Sequence, residues 1–177
     1  SPTDIIFNMP LQLCDVNDTI KTNWFNGLDS FTLRDIYGGV LGIEDNPLIG
    51  PKNVFFHFSS AWCPTCPAKA ESLGEFITDN DLVNRDDVII VEVLCDPGQP
   101  YTCSQWGDHS DNTLPVVISD DSSCHNPLYQ QFIWDLQSDQ YGGYSSGVWI
   151  DVDARIHSTF NGAWEGYGGL EFDHILQ

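Results

Sequence analysis

Val54-Phe55-Phe56-His57-Phe58-Ser59-Ser60-Ala61-Trp62-Cys63-Pro64-Thr65-Cys66 is the stretch on which the reading of the whole chain turns. Its first five residues form a near-continuous apolar run, the pattern of a strand buried on both faces. Its end carries two cysteines three residues apart, where the strand gives way to a helix. That helix is predicted from about Cys63 to Thr78, with Leu73, Phe76 and Ile77 on its inner face. Cysteines at i and i+3 on a first helical turn can close a small disulfide ring. The first of them lies beside free backbone N–H groups and the positive end of the helix dipole, which favour the thiolate. Pro64 suits the first helical position, where no N–H is needed.

A chemistry follows from this asymmetry. Cys63, as thiolate, attacks a substrate disulfide and forms a mixed disulfide. Cys66, expected to be the more buried, then attacks Cys63 and releases the reduced substrate; the reverse order oxidises a dithiol. Two other uses of the pair are an idle structural disulfide and half of a zinc site. Zinc needs a second ligand pair, and no second close Cys or Cys–His pair lies at suitable spacing, so no metal is expected. Exchange requires no cofactor.

On either side of this stretch, buried strands alternate with helices. Residues 88–94 read as a second buried strand and 114–118 as a third. Helices are predicted over 103–109, 128–136 and 168–176. Residues 147–151 and 155–160 pair as a hairpin across Val152-Asp153-Ala154, where Asp151 and Asp153 read as turn residues. The alternation predicts an α/β sandwich with a mixed sheet whose closing hairpin supplies an antiparallel edge. Residues 1–27 show little periodicity and read as an N-terminal arm. One domain is predicted over 28–177, opening with a short strand at Ser30-Phe31-Thr32-Leu33.

The chain has 177 residues, six Lys plus Arg against 26 Asp plus Glu, and a net charge of −20. With 41% hydrophobic and 12% aromatic residues it is no disordered acidic tail. Six cations cannot track a phosphate backbone, which excludes nucleic acid as a partner. No apolar run approaches the ~20 residues of a membrane span. Six cysteines, an even number, suit an oxidising compartment and structural disulfides. Ser1-Pro2-Thr3 has no basic or apolar leader after it, so the chain reads as a mature periplasmic or secreted product with its leader removed. Cys95 and Cys103 flank a Pro/Gly loop eight residues apart. Four cysteines allow three connectivities. The favoured one joins Cys95 to Cys103 and leaves Cys14 with Cys124, pinning the arm to the loop after the third strand.

The quoted strand and cysteine pair resemble the active-site strand and helix start of thioredoxin-fold proteins, nearest to the extracytoplasmic redoxin and TlpA-like thiol–disulfide oxidoreductases. Phe31 to Gly39 is similar to the strand and turn that precede that site, and Val148 to Ile156 to their closing hairpin. The likeness spans residues 28–176. It implies a thioredoxin-like three-layer sandwich, mixed central sheet flanked by helices, with Cys63 as nucleophile and Cys66 as resolving cysteine. It also implies that Trp62, Pro64, Thr65 and Ser145 face the substrate. Ser145 stands in the slot before the hairpin strand where these proteins usually carry a cis-proline. His57 occupies the position of their buried acid, where it is a candidate proton relay for Cys66; the other reading is a core histidine satisfied by a backbone carbonyl or facing the opposite layer. Lys69 and Glu71 stand where the TlpA-like pattern has Glu and Pro.

The leading expectation is an extracytoplasmic thiol–disulfide oxidoreductase acting on protein thiols or disulfides. The alternative is an extracellular structural or self-assembling module with an idle disulfide. The missing proline, the extra cysteines, the acidic surface and the aromatics Trp106, Tyr141, Tyr144, Trp164 and Tyr167 near loops motivate it. Peroxidase chemistry asks for a Thr and an Arg around the cysteine. Ser60 stands at the Thr position, and Arg34, Arg85 and Arg155 lie in no partner motif, so that activity is not expected.

Overall fold

The computed structural model of the chain describes residues 2–135 and 146–160. The apolar run becomes strand β3, Asn53–Ser60, with every residue from Val54 onward buried. It runs parallel to β4, Val88–Cys95, in a register that pairs His57 with Glu92 and Ser60 with Cys95. On its other side it pairs antiparallel with β6, Ser146–Ile150, which turns back into β7, Ile156–Phe160. Asp151 Oδ1 closes that turn by accepting from the N–H groups of Asp153, 2.9 Å, and Arg155, 3.0 Å. Beyond β4 lie β5, Val116–Ser119, parallel to it, then β1, Leu11–Asp15, and β2, Ser30–Phe31, both antiparallel to their neighbours. The sheet is mixed, seven-stranded and ordered β2-β1-β5-β4-β3-β6-β7.

The short helices begin where local polar groups satisfy their first N–H groups. Asn17 caps α2, Asp18–Phe25, by accepting from Ile20 N–H at 2.8 Å. Thr32 and Asp35 form a reciprocal capping box at the start of α3, Leu33–Tyr37, and Thr102 and Gln105 form another before α5, Cys103–Asp108. Asn126 and then Pro127 start α6, Pro127–Tyr129, which continues as π-helical turns over Gln130–Asp135.

Strand alternation sends the two faces of β3 to different neighbours. Phe56 and Phe58 meet Phe132 at ring distances of 6.2 and 5.9 Å, so the α6 segment covers their face. Phe55, His57 and Ser59 point the other way, as do their register partners Glu92 and Leu94. Leu94 packs with Cys66 and Trp106, so α4 (Cys66–Asp79) and α5 cover that face. The sheet thus lies between two helical layers.

Several sequence expectations change here. Residues 1–27 are no separate arm: they supply helix α1 (Pro2–Phe7), α2 and strand β1, and β1 lies inside the sheet between β2 and β5. The predicted strand at 30–33 shortens to Ser30–Phe31 because Thr32 turns to cap α3. The third strand starts at Val116, after Pro115. Trp106 is 1% exposed and belongs to the core, so it is no interface anchor. The disulfides are Cys14–Cys103 and Cys95–Cys124, not Cys95–Cys103 and Cys14–Cys124. Sheet order is the reason. β1 beside β5 sets Cys14 level with Leu13–Val117 and Asp15–Val116, under α5 and its first residue Cys103. Cys95 ends β4, next to the loop that follows β5 and carries Cys124. The predicted helix over 168–176, and Tyr141, Tyr144, Trp164 and Tyr167, lie outside the described residues.

Candidate active site

β3, β4 and β5 all end at the same edge of the sheet, and the cysteine motif leaves β3 there. Cys63 N–H donates to Ser60 O at 3.1 Å, and Ala61 N–H to Cys95 O at 3.0 Å, so the loop is tied to both strands it leaves. The helix begins at Cys66, three residues later than expected, with Thr65 at the N-cap and Pro67 in the first turn. Thr65 stays in the helical region, φ −96°, and its side chain makes no cap bond. Its hydroxyl instead lies 3.6 Å from Cys63 Sγ. Cys63 therefore stands ahead of the helix, on the turn facing its N-terminus, rather than inside its first turn.

Cys63 and Cys66 are joined as a disulfide, with Cα atoms 5.5 Å apart. Their exposures differ in the direction that exchange needs: 7% for Cys63 and 0% for Cys66. Beneath them sit Ala61, Leu94, Trp106 and Val116, with the Cys14–Cys103 bridge packed against the same cluster. Pro64 and Thr65 are exposed at the rim. Trp62 is 48% exposed, and its Nε1–H donates to Asp96 Oδ2 at 2.9 Å. Ser145 lies outside the described residues.

His57 is wholly buried, and so is the residue beside it, Glu92. His57 Nδ1 is 2.9 Å from both Glu92 carboxylate oxygens and 3.4 Å from Ser59 Oγ. Two ionisable groups taken out of water together are costly unless they pair, and here they pair fully. Both lie on the sheet face covered by the helix that Cys66 begins. Glu92 has no role in the sequence reading, although it is the one charged residue between Val88 and Cys95.

A second titratable group lies on the flank of the site. Asp15, next to Cys14, has its pKa raised to about 6, first by burial and second by the nearby Asp108 carboxylate. Gly107 of α5 packs so closely on Asp15 that a Cβ there would overlap its carboxylate. Ligand-type atoms of Cys95, Asp96 and Cys124 lie within 4.8 Å of one another, but both sulfurs are spent in a disulfide. No helix among the described residues is long and apolar enough to cross a membrane.

No family model matches the chain, and no curated protein does. Solved structures do match. One is a secreted Mycobacterium tuberculosis disulfide oxidoreductase homologous to Escherichia coli DsbE, 12% identical over 97% of this chain and 94% of that one, with a TM-score of 0.51. Another is the bacterioferritin comigratory protein of Xanthomonas campestris, described for alkyl peroxide reduction, 13% identical over 89% of this chain and 82% of that one, TM-score 0.52. A third is the C-terminal domain of a putative thiol–disulfide oxidoreductase from Bacteroides thetaiotaomicron, 13% identical over 71% and 78%, TM-score 0.50. At such identities the likeness is one of fold.

Proposed function

The chain has a thioredoxin-like fold, and on that premise we propose that it is an extracytoplasmic thiol–disulfide oxidoreductase in which Cys63 attacks and Cys66 resolves. The observation that carries this is the unequal burial of the Cys63–Cys66 disulfide on the turn into α4. The outer sulfur meets the substrate; the inner one is reserved for the second step. Three closed disulfides support an oxidising compartment. The substrate is a protein thiol or disulfide, and no cofactor enters the reaction. Self-assembly, the alternative raised by the sequence, has no support in the fold or in its structural relatives.

In the reducing direction the Cys63 thiolate attacks one sulfur of the substrate disulfide, and the other sulfur leaves as thiolate. Cys66 then attacks the Cys63 sulfur, breaking its bond to the substrate, whose sulfur leaves as thiolate; the attack requires Cys66 to lose its proton. His57 receives that proton. Glu92, whose carboxylate lies 2.9 Å from His57 Nδ1, stabilises the imidazolium that forms. Trp62, Pro64 and Thr65 form the exposed rim against which the substrate lies.

The test is the reduction potential of the Cys63–Cys66 pair, measured beside an insulin-reduction assay with Cys63→Ser as control. A potential of about −270 to −120 mV, with turnover lost in the variant, is the expected result. A potential below about −300 mV with no turnover would make the bond structural and end this reading.

A further inference from the structure

The exposed ring that a partner meets beside Cys63 is Trp62, and its indole is anchored. Nε1–H donates to Asp96 Oδ2 at 2.9 Å, an acceptor 34 residues away in the turn after β4. Asp96 is itself held from two sides. Its N–H donates to Ser122 O at 2.8 Å. Its Oδ2 lies 3.3 Å from Cys124 Sγ, and Cys124 is bonded to Cys95, the residue before Asp96. A disulfide sulfur has no proton to donate, so that second contact is packing, and the hydrogen bond of Oδ2 is the one from the indole. The backbone of Asp96 is left-handed, φ 52°, a conformation that Asp tolerates better than most residues.

We propose that the Cys95–Cys124 disulfide is a positioning device for substrate recognition: it holds Asp96 so that the carboxylate fixes Trp62 as a rigid platform beside Cys63. This rests on the exchange reading of Cys63. The disulfide itself exchanges with nothing, since Cys95 is 0% and Cys124 4% exposed. Its role is reach. β4 ends at Cys95, and the bridge fastens that end to the loop after β5, so Asp96 cannot swing away from the indole. A ring already ordered costs a polypeptide substrate less to bind than one it must immobilise. A small disulfide that touches only sulfur gains nothing from the platform. The chain Cys124–Asp96–Trp62 therefore raises preference for polypeptide disulfides over small ones.

Four variants separate the links. Asp96→Gly removes the carboxylate and accepts the left-handed backbone. Asp96→Asn keeps an acceptor oxygen. Trp62→Phe keeps an aromatic ring and removes the donor. Cys95→Ala/Cys124→Ala removes the bridge. One readout is the Trp62 indole N–H resonance in isotope-labelled protein, identified by its loss in Trp62→Phe. The other is KM and kcat for insulin, compared with hydroxyethyl disulfide. Asp96→Gly and the double cysteine variant are expected to move the resonance and to raise KM for insulin about fivefold, with kcat changed less than about twofold. KM for hydroxyethyl disulfide stays put, Asp96→Asn restores most of the loss, and Asp96→Gly adds nothing to Trp62→Phe. An unmoved resonance in the double cysteine variant, KM changes shared by both substrates, or additive effects would each overturn the proposal. Should the double variant fail to fold, an unmoved resonance in Asp96→Gly overturns it equally. A wild-type protein without turnover ends the exchange reading, while the resonance still judges the link from disulfide to Trp62.

Discussion

The Cys63–Cys66 and Cys14–Cys103 bridges pack into one cluster, yet they span 3 and 89 residues of chain. The short one closes a ring that the turn into α4 nearly closes already, so it constrains little of the unfolded chain. The long one ties β1, far from the middle of the sheet in sequence, to the helix that follows β4. Chain-entropy reasoning separates them: a long closed loop stabilises by roughly 4–5 kcal/mol and a three-residue one by under about 2. On the proposed exchange reading, reactivity and stability are held by different sulfurs. A redox pair can open and close in each turnover without loosening the fold only if other bonds carry the fold.

The largest effect that follows is functional. Cys63→Ser is expected to abolish insulin reduction while shifting the denaturation midpoint only slightly. Removing the long tie, as Cys14→Ala/Cys103→Ala, should do the reverse, losing about 4 kcal/mol in urea unfolding. Should loss of the short bridge cost more stability than loss of the long one, the division of labour described here is wrong.

His57→Phe tests the buried pair on the redox side. It strands the Glu92 carboxylate without its partner, which should cost about 3–5 kcal/mol. Exchange in this variant should also lose the wild-type pH profile; an unchanged rate and profile would remove His57 from the reaction. His57→Phe with Glu92→Leu, which removes both charges, should recover most of the stability and none of the pH dependence.

The smallest effect belongs to the flank carrying the long tie. Asp15 is an acid whose folded pKa is raised from the usual 3.8 to about 6, so the folded state binds its proton more tightly than the unfolded state. Its contribution is full below about pH 4 and lost as pH rises through about 6. Asp15→Asn should therefore match wild type in acid and exceed it at neutral pH by about 1 kcal/mol, a figure reduced for partial exposure. Thermal or urea unfolding across that range reads it. Greater wild-type stability at neutral pH would contradict the assignment.

Much of the site could be read in advance because it is local. The apolar run, the cysteine spacing and the closing hairpin each occupy a few consecutive residues. The capping signals are equally local: Thr32 explains why β2 is short, and Asn17 and Thr102 where α2 and α5 begin. Glu92 is a different case. A lone acid in a buried strand has meaning only when its neighbour across the ladder is known, and His57 is 35 residues away.

The order of residues alone determined the elements at the centre: a strand buried on both faces, a cysteine pair at its end, a second buried strand after it and a hairpin at the close. Local sterics and hydrophobic periodicity act over a few residues, so the chain itself carries them. Only the tertiary structure decided that β1 lies between β2 and β5, that Cys14 meets Cys103 and Cys95 meets Cys124, and that His57 finds Glu92. Those pairings depend on strand order. Strand order is settled by which faces bury each other across the whole sheet, a competition that no short stretch of sequence records.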